Sequence, residues 1–185
     1  METINIPDFT LHFRAPGSRP ADSIQYAIGH CTHGAILVAR STQGICAIFL
    51  GDDAPELRNQ LREAFPRIEL VEAAQSMRND LERIVHYVDR RVTAAPIDLD
   101  IGGTPFQQRV WSALCHIPAG RTLSYTQLAQ SLGLPKSVRA VASACAANTL
   151  AIVVPCHRIV RSDGSITGYR WGPERKRDLL RREQM

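Results

Sequence analysis

The chain has 185 residues, 44% of them hydrophobic and 22% charged, which is enough for a packed core in one domain or in two small ones. The sequence contains no run of about 18 apolar residues of the kind that spans a membrane. The first ten residues lack the basic and apolar regions of a signal peptide. Five cysteines at unpaired spacings (31, 46, 115, 145 and 156) indicate a reduced cytoplasmic protein, not a disulfide scaffold.

Charge is unevenly distributed along the chain. Residues 1–100 hold 10 basic and 14 acidic side chains, a net charge of −4, whereas residues 101–185 hold 12 and 4, a net charge of +8. This asymmetry favours an anionic partner for the second half, with nucleic acid ahead of a membrane surface. The alternative is that these basic residues form an ordinary solvated surface with no anionic partner.

The first half is predicted to contain an antiparallel sheet. Residues 1–22 have the composition of an irregular loop. Apolar windows of strand length, separated by Gly and polar turns, follow at 23–28, 35–39 and 44–50.

Two helices complete the predicted first half. Prolines that start or end helices, together with apolar residues at helical spacing, predict these helices over about 54–65 and 76–91. Residues 96–101 are predicted to be an extended connector, and Gly102 and Gly103 to mark the boundary between the halves.

The second half contains a helix-turn-helix pattern. Capping boxes of the Ser/Thr-x-x-Gln type at 104–107 and 124–127 predict two helix starts, and a third helix over about 137–147 follows a turn at Gly133. Two short helices joined by a glycine-containing turn are typical of DNA-binding proteins.

The second helix of this pair has an unusual composition. It offers mostly Ala and Ser with Arg139 near its start, whereas helices that read the major groove carry long polar side chains. Small side chains let a backbone approach closely, as a narrow minor groove requires. The alternative is an alanine-rich helix buried on two sides.

Cys156 occupies the most informative stretch. The apolar, β-branched run 150–154 predicts a buried strand that ends at Pro155, which cannot donate a ladder hydrogen bond. His157 and Arg158 follow the cysteine, and nearby positive charge lowers a thiol pKa and favours the reactive thiolate. The alternative is a buried, inert cysteine.

The closing segment contains a loop at 167–172 and a basic helix from Pro173, with Leu179 and Leu180 as its apolar contact. A loop that combines Gly, Tyr169 and Trp171 near a reactive cysteine suits a pocket for a flat ring. A surface turn anchored by two aromatic residues would have the same composition.

These motifs resemble the O6-alkylguanine-DNA alkyltransferases. The resemblance rests on Pro155-Cys156-His157-Arg158, on Asn148 before it, on Arg139 in Arg-Ala-Val and on Tyr125 in Ser-Tyr-x-Gln. The runs 137–148 and 168–172 are most similar to the C-terminal half of the bacterial adaptive-response (Ada) proteins. The match covers about 101–183 and extends more loosely through 44–53.

The resemblance implies an α/β (α+β) fold in two domains. Residues 1–100 would form a small, ribonuclease-H-like buttressing domain of antiparallel sheet and helices. Residues 101–185 would form an α-rich, winged-helix-like domain with the helix-turn-helix, responsible for catalysis and DNA binding.

The resemblance also assigns catalytic roles. Cys156 would accept the alkyl group, and His157, oriented by Glu183, would take the thiol proton through a water. Asn148 would tie the helix-turn-helix to the active-site strand, and Tyr125 would donate a proton toward guanine N3.

Further residues are assigned to the DNA and to the base. Arg139 would enter the duplex and fill the gap left by the flipped nucleotide. The other predicted DNA contacts are Tyr125, Lys136, Ser137 and Ala140. The predicted substrate-pocket residues are Pro155, Ile159, Tyr169, Arg170 and Trp171.

The implied activity is irreversible transfer of a methyl or larger alkyl group from guanine O6 in DNA to Cys156, with thymine O4 as a second candidate donor. The implied partner is double-stranded alkylated DNA bound through its minor groove. The protein would be a monomer of the bacterial cytosol with no cofactor. One alternative is a regulatory or lesion-binding protein without repair activity, although such relatives lack the acceptor cysteine. Another is a Cys-His hydrolase unrelated to DNA.

The first half lacks the four-cysteine zinc module of the full Ada proteins. His30-Cys31-Thr32-His33 has no partner pair of ligands, and CxxC or CxxxC spacing does not occur. We therefore expect no metal site, no phosphotriester repair and no gene activation triggered by methylation.

Overall fold

The computed structural model describes residues 2–90, 92–166 and 168–184. Arg91, at the predicted end of the second helix, and Thr167, in the predicted pocket loop, lie outside the described residues. The chain divides into two compact units, Met1–Gly103 and Thr104–Met185. The predicted α/β fold class is confirmed, because a sheet with helices forms unit 1 and mainly helices form unit 2.

Within the described residues, unit 1 contains a seven-stranded sheet. The strands are β1 Glu2–Ile6, β2 Phe9–Phe13, β3 Ser23–Cys31, β4 Gly34–Arg40, β5 Ile45–Gly51, β6 Glu69–Glu72 and β7 Ile97–Ile101. Their order in the sheet is β1-β2-β7-β5-β4-β3-β6. The strands β3, β4 and β5 are antiparallel neighbours, as the three apolar windows predict. Parallel pairs join β2 to β7, β5 to β7 and β3 to β6.

Two predictions for unit 1 are wrong. Residues 1–22 are not irregular throughout, because β1 and β2 form a hairpin with Phe9, Leu11 and Phe13 buried at a spacing of two. Residues 96–101 are not a connector, because β7 lies between β2 and β5. Alternation of buried and more exposed residues is typical of a strand, but in β2 the pattern extends over only five residues and is therefore a weak signal.

The two predicted helices of unit 1 are confirmed as α1 Ala54–Ala64 and α2 Arg78–Arg90. The Asp53 side chain caps α1 by accepting a hydrogen bond from the Glu56 amide at 2.8 Å. The α1 helix packs on β4 and β5, and α2 packs on β3 and β4. Each fully buried aliphatic side chain on these faces contributes about 1.5–3 kcal/mol to the stability of the fold.

A buried polar cluster joins β2 to β7. The guanidinium of Arg14 lies 2.9 Å from an Asp100 carboxylate oxygen, and the Ser41 hydroxyl donates to the other oxygen of that carboxylate. The Arg14 amide also donates to the Ile101 carbonyl at 2.9 Å. A Cβ at Gly102 would lie 2.2 Å from Arg14 Nη2, so any larger residue there would displace the guanidinium from its present position.

Unit 2 contains the predicted helices and capping boxes. Thr104 and Ser124 each accept from the amide three residues later, and the glutamine there accepts from the capping residue in return. Trp111 Nε1 donates to the Ala144 carbonyl at 2.9 Å and so joins the first helix to the helix-turn-helix. The elements are α3 Pro105–Cys115, β8 Leu123–Ser124, α4 Tyr125–Ser131, α5 Val138–Ala146, a 3-10 turn Cys156–Arg158, β9 Ile159–Val160 and α6 Pro173–Arg182.

The strand predicted over 150–154 is not formed. The segment is a buried turn in which the Val154 amide donates to the Leu150 carbonyl at 3.1 Å, and Ile152 has a φ of 71°. Its side chains are apolar because they are buried, with exposures between 0 and 4%. The second apolar run is a strand, since β9 pairs in parallel with β8. None of the described helices is long and apolar enough to cross a membrane.

Candidate active site

Unit 2 contains a pocket of about 390 Å³ at the meeting point of four segments. The start of α4 contributes one wall, a face of α5 the second, the 3-10 turn the third and the loop before α6 the fourth. The lining residues are Tyr125, Ala142, Cys145, Ala146, Cys156, Gly168, Tyr169 and Arg170.

Cys156 is the first residue of the 3-10 turn and is 5% exposed. Its amide donates to the Val154 carbonyl at 2.8 Å, so the buried turn before it fixes its backbone. Asn148 Nδ2 donates to the Cys156 sulfur at 3.3 Å. The sulfur therefore faces a pocket while a buried amide holds it from one side.

Asn148 organises the segment that precedes Cys156. Its Oδ1 accepts from the Leu150 amide at 2.8 Å, and its Nδ2 donates to the carbonyls of Leu150 at 3.2 Å and Val154 at 2.9 Å. The residue lies just after α5 and is 2% exposed. One side chain thus links the end of α5 to the turn and to the cysteine.

Glu183 holds both basic residues that follow the cysteine. Its carboxylate lies 2.9 Å from His157 Nε2 and accepts from Arg158 Nε at 3.0 Å and Nη2 at 2.9 Å. The His157 and Glu183 side chains are 0 and 3% exposed. Burial acts to raise the pKa of the Glu183 carboxyl, but the hydrogen bonds from His157 and Arg158 outweigh it and keep that pKa well below its usual range.

The predicted lowering of the Cys156 pKa is wrong for this structure. Burial raises the pKa of the thiol, and the hydrogen bond from Asn148 and the charge of Lys176 oppose that effect without overcoming it. The two basic neighbours in the sequence do not act as predicted, because Glu183 engages both. Burial therefore favours the protonated thiol of Cys156.

A second cysteine shares the pocket with Cys156. Cys145 lies on the buried face of α5, and burial raises its pKa to about 12. Burial also raises the pKa of the Tyr125 hydroxyl, with Cys145 and Cys156 adding to the effect, so the tyrosine keeps its proton and can donate it.

Four of the five predicted DNA-contacting residues lie at the start of α5, and the fifth, Tyr125, is the first residue of α4. Lys136, Arg139 and Ala140 are exposed, and Ser137 is half-buried at the position before the helix. The helix is buried along Val141, Ala144 and Cys145 only, so it is not buried on two sides. Of its small residues, Ala142, Cys145 and Ala146 line the pocket, Ala140 and Ser143 are exposed, and Ala144 is buried.

Two of the predicted pocket residues, Tyr169 and Arg170, line the pocket. Pro155, Ile159 and Trp171 are buried and are not among its lining residues. Trp171 instead packs edge-to-face against Tyr169 with ring centroids 5.1 Å apart. Trp171 therefore supports the pocket wall from behind the lining residue.

The sequence did not single out Ala142, Ala146, Cys145 or Lys176 as site residues, and it used Arg158 only as a positive charge next to Cys156. The first three share one face of α5 at spacings of three and four, and this pattern could have identified them. Among the residues that the structure describes, no group of three or more His, Cys, Asp or Glu side chains could hold a metal ion.

Comparison with known proteins places this geometry in a family. The sequence profile of the 6-O-methylguanine DNA methyltransferase DNA-binding domain matches residues 105–185. The inducible methylated-DNA–protein-cysteine methyltransferase of Bacillus subtilis (strain 168) is 38% identical over 146 residues, which are 77% of this chain and 80% of that protein. The chain belongs to the methylated-DNA–protein-cysteine methyltransferase family.

The similarity to Ada predicted from the sequence is confirmed. The bifunctional transcriptional activator/DNA repair enzyme Ada of Escherichia coli (strain K12) is 50% identical over 171 residues, which are 92% of this chain and 48% of that relative. The chain spans about half the length of the Ada relatives that it matches.

Solved structures of methyltransferases in this family share the fold. The O6-methylguanine methyltransferase of Mycobacterium tuberculosis has a TM-score of 0.67 at 32% identity, covering 87% of this chain and 93% of that one. The structure of OGT from the same organism in complex with DNA has a TM-score of 0.71 at 32% identity, covering 86% of this chain and 92% of that one.

Proposed function

We propose that this protein repairs DNA directly, by moving a methyl or larger alkyl group from O6 of guanine to its own Cys156. The observation that supports this function is the Cys156 sulfur, which Asn148 holds at the wall of a pocket within the region that matches the family's DNA-binding domain. We extend the proposal to O4 of thymine as a second substrate, because it presents the same alkyl–oxygen bond.

The proposed step is an in-line displacement. A bond forms between Cys156 Sγ and the alkyl carbon, and the bond from that carbon to guanine O6 breaks, so the electron pair leaves with the base. The thiol proton passes through a water to His157, and Tyr125 donates toward N3 while negative charge develops on the departing guanine. The guanine gains its N1 proton from solvent on release, and the proton held by His157 returns to solvent, so both side chains end as they began. The products are unmodified guanine in DNA and a thioether on the protein.

The relay matters because the Cys156 thiol starts protonated. Glu183 faces Nε2 of His157, which fixes the tautomer and stabilises the imidazolium that forms when the proton arrives. The Asn148 amide donates to the sulfur and stabilises the thiolate at the moment of transfer. A thioether has no good leaving group, so each protein molecule acts once. The proposed step uses no cofactor.

The substrate base must leave the DNA helix to reach Cys156, at a cost of a few kcal/mol. In our proposal α5 enters the minor groove, where its small residues allow close approach, and Arg139 fills the space left by the flipped nucleotide. Lys136, Ser137 and Ala140 contact the backbone beside it. The net charge of +8 on residues 101–185 favours such a partner.

We further propose that residues 101–185 are responsible for catalysis and DNA binding, while residues 1–100 act as a buttressing domain. In this proposal Asn148 couples the helix-turn-helix to the active-site turn, and the protein acts as a monomer in the cytoplasm. Pro155 and Ile159 place backbone groups near the guanine edge, and Tyr169, Arg170 and Trp171 form the pocket loop.

Intact mass after incubation with duplex DNA that contains O6-methylguanine tests this function. We expect a gain of one methyl group per protein molecule, located at Cys156 by peptide mapping, and no gain with unmodified DNA. Binding without a mass change would support a lesion-binding protein instead. Repeated turnover without a stable adduct would support a hydrolase.

A further inference from the structure

Arg170 brings a cation to the wall of the pocket beside Cys156. Its side chain is half-buried and lines the cavity of about 390 Å³. Other lining residues are small, among them Ala142, Ala146 and Gly168, and none of the lining residues that the structure describes is acidic. Such walls are enough for a methyl group, which needs only apolar contacts. A methyl substrate alone therefore gives no reason for an arginine at this position.

Two contacts of the Arg170 guanidinium hold it at the pocket. Its Cζ lies 6.0 Å from the ring centroid of Trp171, a buried side chain, in a cation–π contact. Its Nη1 donates to the Asn148 carbonyl at 3.5 Å. Asn148 also donates to the Cys156 sulfur at 3.3 Å, so one residue contacts both the guanidinium and the sulfur. The positive charge is thus held close to the place that the alkyl group must occupy during transfer.

The charge of Arg170 acts on the sulfur from the pocket side. Burial raises the pKa of the Cys156 thiol, and the charge of Arg170 is one of the effects that oppose it. Lys176 opposes it too, but its side chain is fully buried and donates to the Ile159 and Gly168 carbonyls. Among the lining residues in the described part of the chain, Arg170 is the cation that a bound group can contact.

We propose that the Arg170 side chain forms an anion subsite of the pocket and selects O6-alkyl groups that carry a carboxylate, of which carboxymethyl is the simplest. This inference rests on the proposed function, because such a group enters the pocket on a flipped guanine. A guanidinium matches a carboxylate in shape and can donate two parallel hydrogen bonds to it. The pairing is stronger in a pocket partly closed to water than at an open surface.

Transfer of a carboxymethyl group follows the same displacement as transfer of a methyl group. A bond forms between Cys156 Sγ and the methylene carbon, and the bond from that carbon to guanine O6 breaks with its electron pair leaving on the base. The thiol proton takes the route proposed above. The carboxylate stays ionised and pairs with Arg170 in the substrate and in the thioether product. Arg170 is therefore a specificity-determining residue, and the reacting atoms are unchanged.

Single-turnover transfer from three duplexes of one sequence tests the subsite. The duplexes contain O6-methylguanine, O6-carboxymethylguanine or O6-carbamoylmethylguanine, and intact mass identifies the group that the protein gains. The carbamoylmethyl group matches carboxymethyl in size but is uncharged. The quantity measured is the ratio of the carboxymethyl rate to the carbamoylmethyl rate, because effects on DNA binding or on the thiol cancel in this ratio.

Two variants of Arg170 are compared with a control. Arg170→Gln removes the charge, and Arg170→Lys keeps it without the planar fork. Arg175→Gln is the matched control, since Arg175 is also half-buried and donates to the Trp171 carbonyl at 3.1 Å but does not line the pocket. We expect Arg170→Gln to lower the ratio by about tenfold or more, Arg170→Lys to lower it less, and Arg175→Gln to leave it unchanged.

An unchanged ratio in Arg170→Gln would overturn the subsite, even if all three lesions react more slowly by the same factor. Wild-type transfer of the methyl group without transfer of the carboxymethyl group would also overturn it and would leave the proposed function intact. No transfer from any of the three duplexes would contradict the proposed function itself.

A second measurement keeps the proposal testable if Arg170→Gln does not fold. Iodoacetate and iodoacetamide deliver the same two groups to wild-type Cys156 in the absence of DNA, and peptide mapping gives the two rates. We expect the ratio of the iodoacetate rate to the iodoacetamide rate to be about tenfold higher at Cys156 than at the neutral free thiol N-acetylcysteinamide. A ratio no higher than that of the free thiol would overturn the anion subsite, whatever the result with DNA.

Discussion

The Asn148 side chain donates a hydrogen bond to the Cys156 sulfur at 3.3 Å and another to the Val154 carbonyl at 2.9 Å. The same amide thus fixes the backbone turn and touches the atom proposed to react. Positioning of the nucleophile and stability of the turn are therefore expected to change together when this residue is replaced.

Replacing Asn148 by Ala leaves buried partners without hydrogen bonds. We expect the free energy of unfolding to fall by about 2–4 kcal/mol and methyl transfer to slow. Urea denaturation and single-turnover kinetics measure the two effects. Asn148→Asp is an informative companion, because a carboxylate beside the sulfur would disfavour the thiolate and shift the rate profile to higher pH. Wild-type stability and rate in Asn148→Ala would contradict the assignment.

Glu183 makes a pH-dependent contribution to stability. Its pKa is lowered in the folded protein, so the contribution is complete above the ordinary glutamate pKa of about 4.3 and is lost as the pH falls toward the folded value. We expect Glu183→Gln to lose about 3 kcal/mol of unfolding free energy at pH 7, with a smaller difference from wild type at pH 3. Denaturant unfolding at several pH values checks this.

The control for the glutamate prediction is Glu174→Gln, which removes an exposed carboxylate that pairs with Arg177 on the same helix. Its unfolding free energy should differ little from wild type at any pH, since surface pairs contribute little. A difference between Glu183→Gln and wild type that persists unchanged into acid would argue against ionisation as its cause.

The two cysteines of the pocket are expected to differ in reactivity. Cys156→Ala should abolish methyl transfer while leaving DNA binding largely intact. Cys145→Ala should still be methylated, because the hydrogen bond from Asn148 and the proposed relay through His157 and Glu183 serve Cys156. Peptide mapping after exposure to methylated DNA distinguishes the sites. A methyl group on Cys145 would show that these contacts do not select the acceptor.

Arg139→Ala tests the proposed role of α5 in extruding the base. The variant should repair O6-methylguanine in duplex DNA at least about tenfold more slowly, while repair in a short single strand should change much less. Arg161→Ala removes another exposed arginine of unit 2 and should spare both substrates. An equal loss on duplex and single strand would count against base extrusion by Arg139.

Local signals explain why the helices could be predicted. Each of α3 and α4 begins at a capping box whose four residues are adjacent in the sequence. The strand β7 could not be recognised in the same way, since its partner β2 is more than 80 residues away in the register that joins Phe9 to Ile97. Asp is also uncommon in strands, and the buried Asp100 of β7 is accommodated by its ion pair with Arg14, which the local sequence does not reveal.

The active-site turn was misread for a related reason. An apolar, β-branched run has the same sequence pattern whether it is buried as a strand or as a turn. Here the Asn148 side chain stabilises the turn through its hydrogen bonds to the Leu150 and Val154 carbonyls. The predicted lowering of the Cys156 pKa is wrong because burial raises it, and because Glu183, far along the chain, engages both basic neighbours. Lys176 was missed because it lies between two arginines in the sequence, and only the fold reveals that it is buried.

The central place of β7 has a consequence for synthesis of the protein. In the strand order, β7 separates the β1–β2 hairpin from the other four strands of the sheet. A nascent chain emerging from the ribosome cannot join these two parts until residues 97–101 are available. Termination or proteolytic cleavage just before Ile97 should therefore leave the hairpin undocked and expose apolar strand edges to aggregation.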